Sequence, residues 1–448
     1  MKMPPMPHPL ALLVGGIFLA AALTWIIPAG AYDRRDDPAT HHAVVVNGTF
    51  HRVEPRPVGP LATLVAIPAG IEKGADIIIF VFLAGGALLV LDRTGVLRTA
   101  VDALARMLGR REAMIVPVFC LFFGTMGAIE NMQEEIIALI PLLLVVARGV
   151  GFDALTAAAM SVGASMVGAA FSPYNPFQAI IAQKLAGLTP GSAGVFRLAM
   201  LLLALGTWTA ATMRHAIRTR GERRAAPPPP GAGLPRWRAR LVGAIALLAL
   251  AVFIRGVSAW DWGFEEMGAL FFGAGVLAGL VGGLGVNGTA EGFADGFNQM
   301  AYASLLIGFA RVISVVLEQG RVMDTIVYGL FTPLAHLPVA ASAAGMVAVQ
   351  GLIHVAVPSV SGQAALTMPV LVPLSDLLGL SRQVTVLAYQ TGAGMCELLT
   401  PTNGAMMAVI AAAGVPYGKW MRFAAPVVGI LVLGALAFIA LALATNLQ

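Results

Sequence analysis

The sequence predicts an all-α polytopic membrane protein made of two inverted repeats, each with a re-entrant hairpin and a broken helix. Three observations lead to this prediction. The chain is strongly apolar, its long helical stretches are interrupted by polar residues and prolines, and the interruptions recur at a fixed spacing in both halves. Interrupted segments at corresponding places in two halves point to a transporter site near the middle of the bilayer.

The composition is that of a membrane protein. Of the 448 residues, 58% are hydrophobic and only 11% are charged, whereas soluble domains carry about a quarter charged residues. The net charge of +5 comes from basic residues in a few short loops, which is the pattern of topology signals and not of nucleic-acid binding. Both cysteines lie in apolar stretches, so no disulfide framework is expected.

The first half begins with an apolar stretch at 9–28 that is long enough to cross a bilayer. Small residues after it resemble a signal-peptide cleavage site, but its match to 241–258 favours a retained helix. The turn signal Asn47-Gly48 predicts an extramembrane β-hairpin at 43–53. An interfacial helix is expected at 65–73 and a span at 75–91. The arginines of a cytoplasmic amphipathic arm follow: Arg93, Arg98, Arg106, Arg110 and Arg111.

The region 113–148 is too long for one span, and its middle, 124–135, is rich in glycine and acids. We interpret it as a re-entrant hairpin that enters from the cytoplasm, the first hairpin. A spanning helix at 153–184 is interrupted at 172–176, the first break. A span at 194–213 and an arginine-rich cytoplasmic linker at 214–240 end this half.

The second half repeats this order with one additional span. The expected segments are spans at 241–257, 267–286 and 301–317, an interfacial helix at 293–300, the second hairpin at 341–378, a helix at 384–413 interrupted at 400–404 (the second break) and a span at 423–444. The additional span turns the later segments over, so the two hairpins enter from opposite faces. Loop charges then predict about nine spans and two hairpins, with a cytoplasmic N-terminus and an external C-terminus.

The repeat is visible in residues that lie 228 positions apart. Ser172 pairs with Thr400 in this register, and Asn175 pairs with Asn403. A proline kink alone would account for Ser172-Pro-Tyr-Asn-Pro176. Its recurrence as Thr400-Pro-Thr-Asn403, each time after a polar hairpin, favours a binding site.

Polar side chains at the hairpin tips and breaks are the candidate substrate ligands. Half-helix N-termini there favour a carboxylate or phosphate, and free carbonyls at C-terminal ends favour Na⁺. The expected substrate-binding residues are Asn131, Ser172, Asn175, Ser359, Ser361, Gln363, Thr402 and Asn403, with Gln133 and Thr367 beside them.

Acidic residues near the interruptions are the candidates for ion coupling. An ionised carboxylate at mid-membrane costs about 2.5–3.5 kcal/mol on insertion scales. The acids of the first hairpin therefore either reach cytoplasmic water or bind a proton, Na⁺ or a substrate ammonium group. The expected ion-coupling residues are Glu130, Glu134, Glu135, Glu397 and Thr400. His354 is interpreted as a packing residue with satisfied hydrogen bonds, and Tyr174, Tyr389 and Gln390 as further residues lining the site.

Several motifs resemble the YfcC-type carrier family. They are Trp25-Ile-Ile-Pro-Ala-Gly30, Asp92-Arg-Thr-Gly95, Gln363-Ala-Ala-Leu-Thr-Met-Pro369, Ser381-Arg-Gln383, Thr400-Pro-Thr-Asn403 and Gly414-Val-Pro-Tyr-Gly-Lys-Trp420. The family is related to the anaerobic four-carbon dicarboxylate carriers of the ion transporter superfamily, and the resemblance covers nearly the whole chain. It implies elevator-type carriers, often dimeric, in which a transport domain slides against a scaffold.

The resemblance also implies domain boundaries, site residues and substrates. The transport domain would comprise 112–187 and 339–414, and the scaffold 1–111, 188–338 and 415–448. The site that it implies comprises Asn131, Glu134, Ser172, Asn175, Ser361, Gln363, Thr402 and Asn403. Substrates across such relatives include dicarboxylates, short fatty acids and amino acids, with Na⁺ or H⁺ coupling. Glutamates near the site repel a dianion unless they are protonated or paired with cations.

These observations predict a secondary active transporter, and not an enzyme, in a bacterial inner membrane. The expected substrate is a small carboxylate-bearing metabolite such as an organic acid or dicarboxylate, moved with an ion or by exchange. The alternative substrate is an amino acid, basic ones included, in antiport, and the alternative class is a passive channel. No cofactor or metal is expected apart from a bound Na⁺. The expected partners are the substrate, the lipid bilayer and a second copy of the chain, with no nucleic acid.

Overall fold

The computed structural model describes residues 7–38, 40, 42–97, 99, 109–221, 234–260 and 262–447. Within these ranges the chain is mainly helical, with two small two-stranded sheets. Arg98 and Arg106 of the predicted amphipathic arm, and 222–233 of the predicted linker, lie outside the described residues.

Helices of the first half follow the predicted order. They are α1 (Pro9–Ile26), α2 (Pro60–Glu72), α3 (Ala75–Arg93), α4 (Ile115–Glu130), α5 (Glu134–Gly149), α6 (Ala154–Ala158, Ala159–Gly163 and Ala164–Phe171), α7 (Pro176–Ile180 and Ile181–Leu185) and α8 (Gly194–Arg218). A 3₁₀ turn, Gly109–Met114, precedes α4. The first hairpin is thus α4 and α5, and the first break lies between α6 and α7.

Helices of the second half also follow the predicted order, with one exception described below. They are α9 (Arg236–Ala259), α10 (Phe264–Val281), α11 (Gly285–Gln319), α12 (Met323–Phe331), α13 (Val339–Ala356), α14 (Val360–Leu378), α15 (Arg382–Glu397), α16 (Gly404–Ala412) and α17 (Tyr417–Ala444). A 3₁₀ turn, Thr332–His336, follows α12. The second hairpin is α13 and α14, and the second break separates α15 from α16.

Ten helical segments in the described part of the chain are long and apolar enough to cross a membrane. They include the first limb of each hairpin, Glu112–Glu130 and Val339–Ala356. Whether each hairpin crosses or re-enters stays a prediction.

One helix is longer than predicted. The interfacial segment 293–300 and the span 301–317 form the continuous helix α11. A glycine in the predicted interfacial part lies at the contact with α3, since a Cβ on Gly296 would lie 2.5 Å from the Cα of Gly86. The short α12, which follows it, has no counterpart among the predicted elements.

The flap, residues 30–53, is a short β ribbon whose pairing differs from the prediction. β2 (Arg34–Asp37) pairs with β3 (His42–Val45), and β1 (Gly30–Ala31) pairs with β4 (His51–Arg52). The predicted hairpin at 43–53 is therefore wrong, because 42–45 pairs with the segment before it. Asn47-Gly48 still forms a turn, with Gly48 at φ +79°. That turn connects β3 to β4, which do not pair with each other. β3 pairs along all four of its residues with β2 instead.

Hydrogen bonds and an ion pair anchor the flap to the region after α11. The Gly30 amide donates to the Arg321 carbonyl at 3.0 Å. Asp324 accepts from the Tyr32 amide at 2.9 Å and pairs with Arg34 at 2.7 Å. The flap is therefore held over the part of the molecule that contains the site described below.

Two parts of the chain, 176–188 and 360–393, share a hydrophobic cluster separate from the main core. Its buried members come from α7 with the residue after it, α14 and α15: Ile181, Ala182, Ala186, Val360, Ala364, Met368, Val372, Val386, Tyr389 and Ala393. The Tyr389 hydroxyl also donates to the Val360 carbonyl at 2.5 Å. These contacts fix the second hairpin against the segment that follows the first break.

Candidate functional site

Each interruption is closed locally by a polar side chain. Asn131 ends α4 in the left-handed conformation at φ 57°. The Asn175 side-chain oxygen accepts from the backbone amides of Phe177 and Gln178 and so starts α7. Asn403 caps α16 in the same way by accepting from the Met406 amide at 2.9 Å. The two asparagines that match in the sequence repeat therefore have the same capping role.

Glu397 lies where all four interrupted segments meet. Its carboxylate accepts from Gln133 of the first hairpin at 3.0 Å and from Gln178 after the first break at 3.5 Å. Asn403 of the second break donates to it at 3.4 Å, and His354 of the second hairpin lies 3.9 Å away. Glu397 is only 5% exposed. One buried carboxylate thus joins the two halves of the chain.

A hydrogen-bond network extends from Glu397 into the first half. Asn131 Oδ1 accepts from Asn175 Nδ2 at 3.2 Å and from Gln178 Nε2 at 3.5 Å. Asn175 also donates to the Gly127 carbonyl at 2.8 Å, and the Ser172 hydroxyl donates to the Ala128 carbonyl at 2.6 Å. The first break is therefore tied directly to the last turn of α4.

A second network lies inside the second hairpin. His354 Nδ1 lies 2.8 Å from Gln363 Oε1, and Gln363 Nε2 donates to the Gln350 carbonyl at 2.8 Å. Gln350 donates in turn to the Thr367 hydroxyl at 2.9 Å. His354 Nε2 is buried and has no partner among the described residues. The interpretation of His354 as a satisfied packing residue is therefore wrong for this nitrogen.

A cavity of about 1360 Å³ lies between the flap, both hairpin tips and α11. Nine of the predicted site residues line it: Glu130, Asn131, Glu134, Glu135, Ser359, Ser361, Glu397, Thr402 and Asn403. Four others lie behind its wall and hold the breaks and hairpins together: Ser172, Asn175, Gln363 and Thr400. Tyr174, Tyr389 and Gln390 are not among the lining residues. What each lining residue binds stays a prediction.

The charged groups around the cavity are unbalanced. Among the described lining residues the acids are Glu130, Glu134, Glu135, Glu318, Asp324 and Glu397, and the bases are Arg34, Lys73, Arg311 and Arg321. Arg34 pairs with Asp324, and Lys73 pairs with Glu318, each at 2.7 Å. Six acids against four bases give these lining residues a formal charge of about −2 with histidine neutral. The positive charge of Arg311 attracts the Glu134 carboxylate.

Two residues of these networks, Gln350 and Gln178, were missed from the sequence. Gln350 and His354 are four residues apart on α13, and Gln363 and Thr367 are four apart on α14. This spacing places each pair on one helix face, so the second network had a sequence signal. Gln178 had none, because the matching position of the repeat is Met406.

A family model described as DcuC, C4-dicarboxylate anaerobic carrier, matches residues 6–444. An uncharacterized protein of Haemophilus influenzae is 27% identical over 486 residues, covering 95% of each chain. The Escherichia coli protein named "Putative basic amino acid antiporter YfcC" is 29% identical over 479 residues, covering 95% of this chain and 94% of that protein.

Two solved structures are also similar. The YdaH transporter of Alcanivorax borkumensis has 16% sequence identity and a TM-score of 0.45, over 98% of this chain and 99% of that one. Neisseria gonorrhoeae MtrF has 18% identity and a TM-score of 0.37, over 98% and 95% respectively.

The predicted resemblance to the YfcC-type carriers is confirmed by these sequence matches. The family model spans nearly the entire chain. Within its described residues, the chain has ten helical segments that are long and apolar enough to cross a membrane. Proteins of such a family are transporters and generally not enzymes. The chain therefore belongs to the DcuC family and is a multi-pass membrane transporter of the DcuC and YfcC type.

Proposed function

We propose that this transporter exchanges amino acids and that basic amino acids are its preferred substrates. The observation that carries the proposal is the excess of carboxylates around the cavity, with Glu130, Glu134, Glu135 and Glu397 set against Arg311 and Arg321. Like charges brought together in a partly desolvated site repel each other, and a cationic ligand relieves that repulsion.

The same cavity offers groups for the carboxylate that every amino acid carries. The N-terminal turns of α14 and α16 face it through Val360, Ser361, Gly404 and Ala405. Backbone N–H groups at helix N-termini favour anions, and the hydroxyls of Ser359 and Thr402 add short donors. A ligand with one carboxylate and one or two ammonium or guanidinium groups therefore finds partners for all of its charges.

A dicarboxylate fits these charges less well. A second carboxylate would have to lie near the glutamates of the first hairpin, where it is repelled unless protons or cations intervene. The name of the Escherichia coli relative, with its mention of a basic amino acid antiporter, supports the amino-acid proposal. We accordingly rank organic acids second.

The proposed mechanism is of the elevator type, with 112–187 and 339–414 moving together. The hydrophobic cluster shared by α7, α14 and α15 supports this division, because its members all belong to these two ranges. The proposed orientation has a cytoplasmic N-terminus and an external C-terminus in a bacterial inner membrane, as the basic loops predict. A homodimer is proposed from the family resemblance.

Counterflow in proteoliposomes tests the substrate proposal. Vesicles loaded with unlabelled arginine or lysine should accumulate labelled arginine, and vesicles loaded with succinate should not. The rate should saturate with concentration, which a passive channel would not do. Succinate exchange without arginine exchange would overturn the proposal in favour of a dicarboxylate carrier.

A matched pair of variants tests the carboxylates themselves. Glu134→Gln removes one acid from the cavity and should weaken arginine binding about tenfold, the equivalent of 1.4 kcal/mol. Glu265→Gln removes an exposed acid outside the cavity and should leave binding unchanged. Equal affinities for the two variants, measured by ligand-induced thermal shifts, would contradict the role of Glu134.

A further inference from the structure

His354 Nε2 and the Glu397 carboxylate are two hydrogen-bond acceptors that face each other. The Gln350 carbonyl can only accept, so the Gln363 atom 2.8 Å from it must be the amide nitrogen. The other amide atom, the oxygen, then faces His354 Nδ1 at 2.8 Å, and Nδ1 must carry the hydrogen. Nε2 of the neutral ring is therefore an acceptor, and it points to the Glu397 carboxylate at 3.9 Å.

The remaining neighbours of Glu397 are hydrogen-bond donors. The Asn403 side-chain oxygen caps α16, so its amide nitrogen is the atom facing Glu397. Gln178 faces two acceptors, Asn131 Oδ1 and Glu397, and therefore presents its nitrogen, as does Gln133. A hard cation such as Na⁺ needs a shell of oxygen ligands, and these N–H groups cannot supply one.

A bridging water does not fit the gap either. A water about 2.8 Å from each atom, at its tetrahedral angle, would separate the two acceptors by roughly 4.5 Å. A direct charge-assisted hydrogen bond needs about 2.7–2.9 Å. His354 Nε2 and the Glu397 oxygen are 3.9 Å apart. A shift of about 1 Å would therefore let them share a proton in a direct hydrogen bond.

We propose that His354 and Glu397 together bind one proton and that this proton is the ion exchanged for the substrate. The proposal rests on the proposed exchange function and names its coupling ion. Glu397 lines the cavity, whereas His354 lies behind it. A proton entering from the cavity reaches Glu397 first and is then shared with His354 Nε2. A substrate cation beside Glu397 disfavours that proton by like-charge repulsion.

Few other charges act on the pair. Glu134, at the start of α5 in the first hairpin, repels a negative charge on Glu397. Tyr389 and Cys396 are the titratable groups near it on its own helix, α15. The side chains that complete the surroundings are neutral: Gln133, Gln178, Gln363 and Asn403. The protons on this pair and on Glu134 therefore decide the local charge together.

Infrared difference spectroscopy of the full-length protein in detergent, between acidic and alkaline pH and without substrate, tests the proposal. A protonated carboxyl has a C=O stretch apart from those of carboxylates. One titrating band of this kind should disappear in Glu397→Gln. In His354→Gln the same band should remain and titrate at least one pH unit lower, a tenfold loss of proton affinity. The exposed His336 provides the control, and His336→Gln should leave the band unchanged.

An unchanged band in His354→Gln, or a full set of bands in Glu397→Gln, would overturn the proposal. If Glu397→Gln does not fold, ¹⁵N-histidine spectra of the wild type replace it, with the His354 signal identified by its loss in His354→Gln. The Nε2 signal should then shift with the same midpoint as the carboxyl band while Nδ1 keeps its hydrogen, and a His354 protonated on Nε2 at every pH would refute the pair. The spectroscopic test contains no substrate, so a negative result would refute the proton site without affecting the exchange proposal. A negative counterflow result would refute the exchange proposal without affecting the proton site.

Discussion

Asn403 has two separate functions at one position. Its side-chain oxygen starts α16 by accepting from the Met406 amide, and its nitrogen donates to the Glu397 carboxylate. Asn175 divides its side chain in the same way between the start of α7 and Asn131. An asparagine suits such a position because one amide group offers both an acceptor and donors.

The two functions of Asn403 can be separated by substitution. Serine caps helices as well as asparagine does, so Asn403→Ser should keep the start of α16 but lose the donor to Glu397. We expect exchange to fall about fivefold to tenfold in proteoliposomes, because a hydrogen bond to a charged group is lost. Thermal stability should change little.

Asn403→Ala is the matched comparison, since it removes the cap as well. It should lose about 1 kcal/mol of stability in addition to the transport defect. Full exchange activity in Asn403→Ser would contradict the role of the amide at Glu397, whatever the stability of the alanine variant.

At the residue scale the sequence predicted the lining of the site better than its connections. Glu397 could be found because it is a lone acid in an apolar helix, and Asn403 because it recurs as Asn175. The partnership of Glu397 with Gln178 could not be found, since it joins residues 219 positions apart. Such a contact depends on how α7 packs against α15, which the repeat pattern does not specify.

Each hairpin packs against the broken helix that follows it through glycines. In the first half, a Cβ on Gly127 of α4 would lie 2.0 Å from the Ser165 carbonyl oxygen of α6. In the second half, a Cβ on Gly392 of α15 would lie 2.3 Å from the Val347 carbonyl of α13. Close backbone approach is how helices associate where apolar side chains gain nothing by leaving lipid.

Gly127→Ala should therefore destabilise the first hairpin. The added methyl group meets backbone that cannot rotate away, and overpacking of this kind costs roughly 1–3 kcal/mol. Melting in detergent, followed by size-exclusion chromatography of heated samples, should show a lower midpoint.

Gly206 of α8 is the matched control. A Cβ there meets nothing within 4 Å, so Gly206→Ala should raise stability by up to about 1 kcal/mol through helix propensity alone. Equal melting points for the two variants would mean that α4 and α6 are not packed as closely as the structure has them.

At the element scale, long apolar helices and their polar interruptions were predictable because each has a local sequence signal. The flap was predicted wrongly because Asn47-Gly48 is a strong local turn signal that a longer strand pairing overrides. The prediction divided α11 into an interfacial segment, 293–300, and a span, 301–317. In the structure, Gly292 and Gly296 are contact points with α3.

At the scale of the molecule, an ionic contact joins the two parts proposed to move against each other. Asp153, before α6, pairs with Lys419 of α17 at 2.8 Å and lies 3.3 Å from His215 of α8. Burial raises the pKa of Asp153, but hydrogen bonds from His215, Lys419 and Thr156 outweigh it and hold the pKa well below its usual range. The carboxylate is therefore ionised at neutral pH, and the contact persists over the physiological range.

The contact between Asp153 and Lys419 allows a direct test of the elevator proposal. Replacing both residues by cysteine, in a background lacking Cys120 and Cys396, places two thiols across the proposed sliding boundary. A short bifunctional thiol reagent should join them and abolish exchange in proteoliposomes, because 112–187 could then no longer move past α17. Cleavage of the reagent by a reductant should restore exchange.

The control for this experiment is a second cross-link that stays within the scaffold. Arg93 at the end of α3 pairs with Asp295 of α11; both lie in the proposed scaffold, and neither lines the cavity. Cysteines at these two positions, joined by the same reagent, should leave exchange intact because neither residue moves relative to the other. Full exchange with Asp153 and Lys419 joined would mean that these parts do not slide, and the site would then have to open by hairpin movements alone.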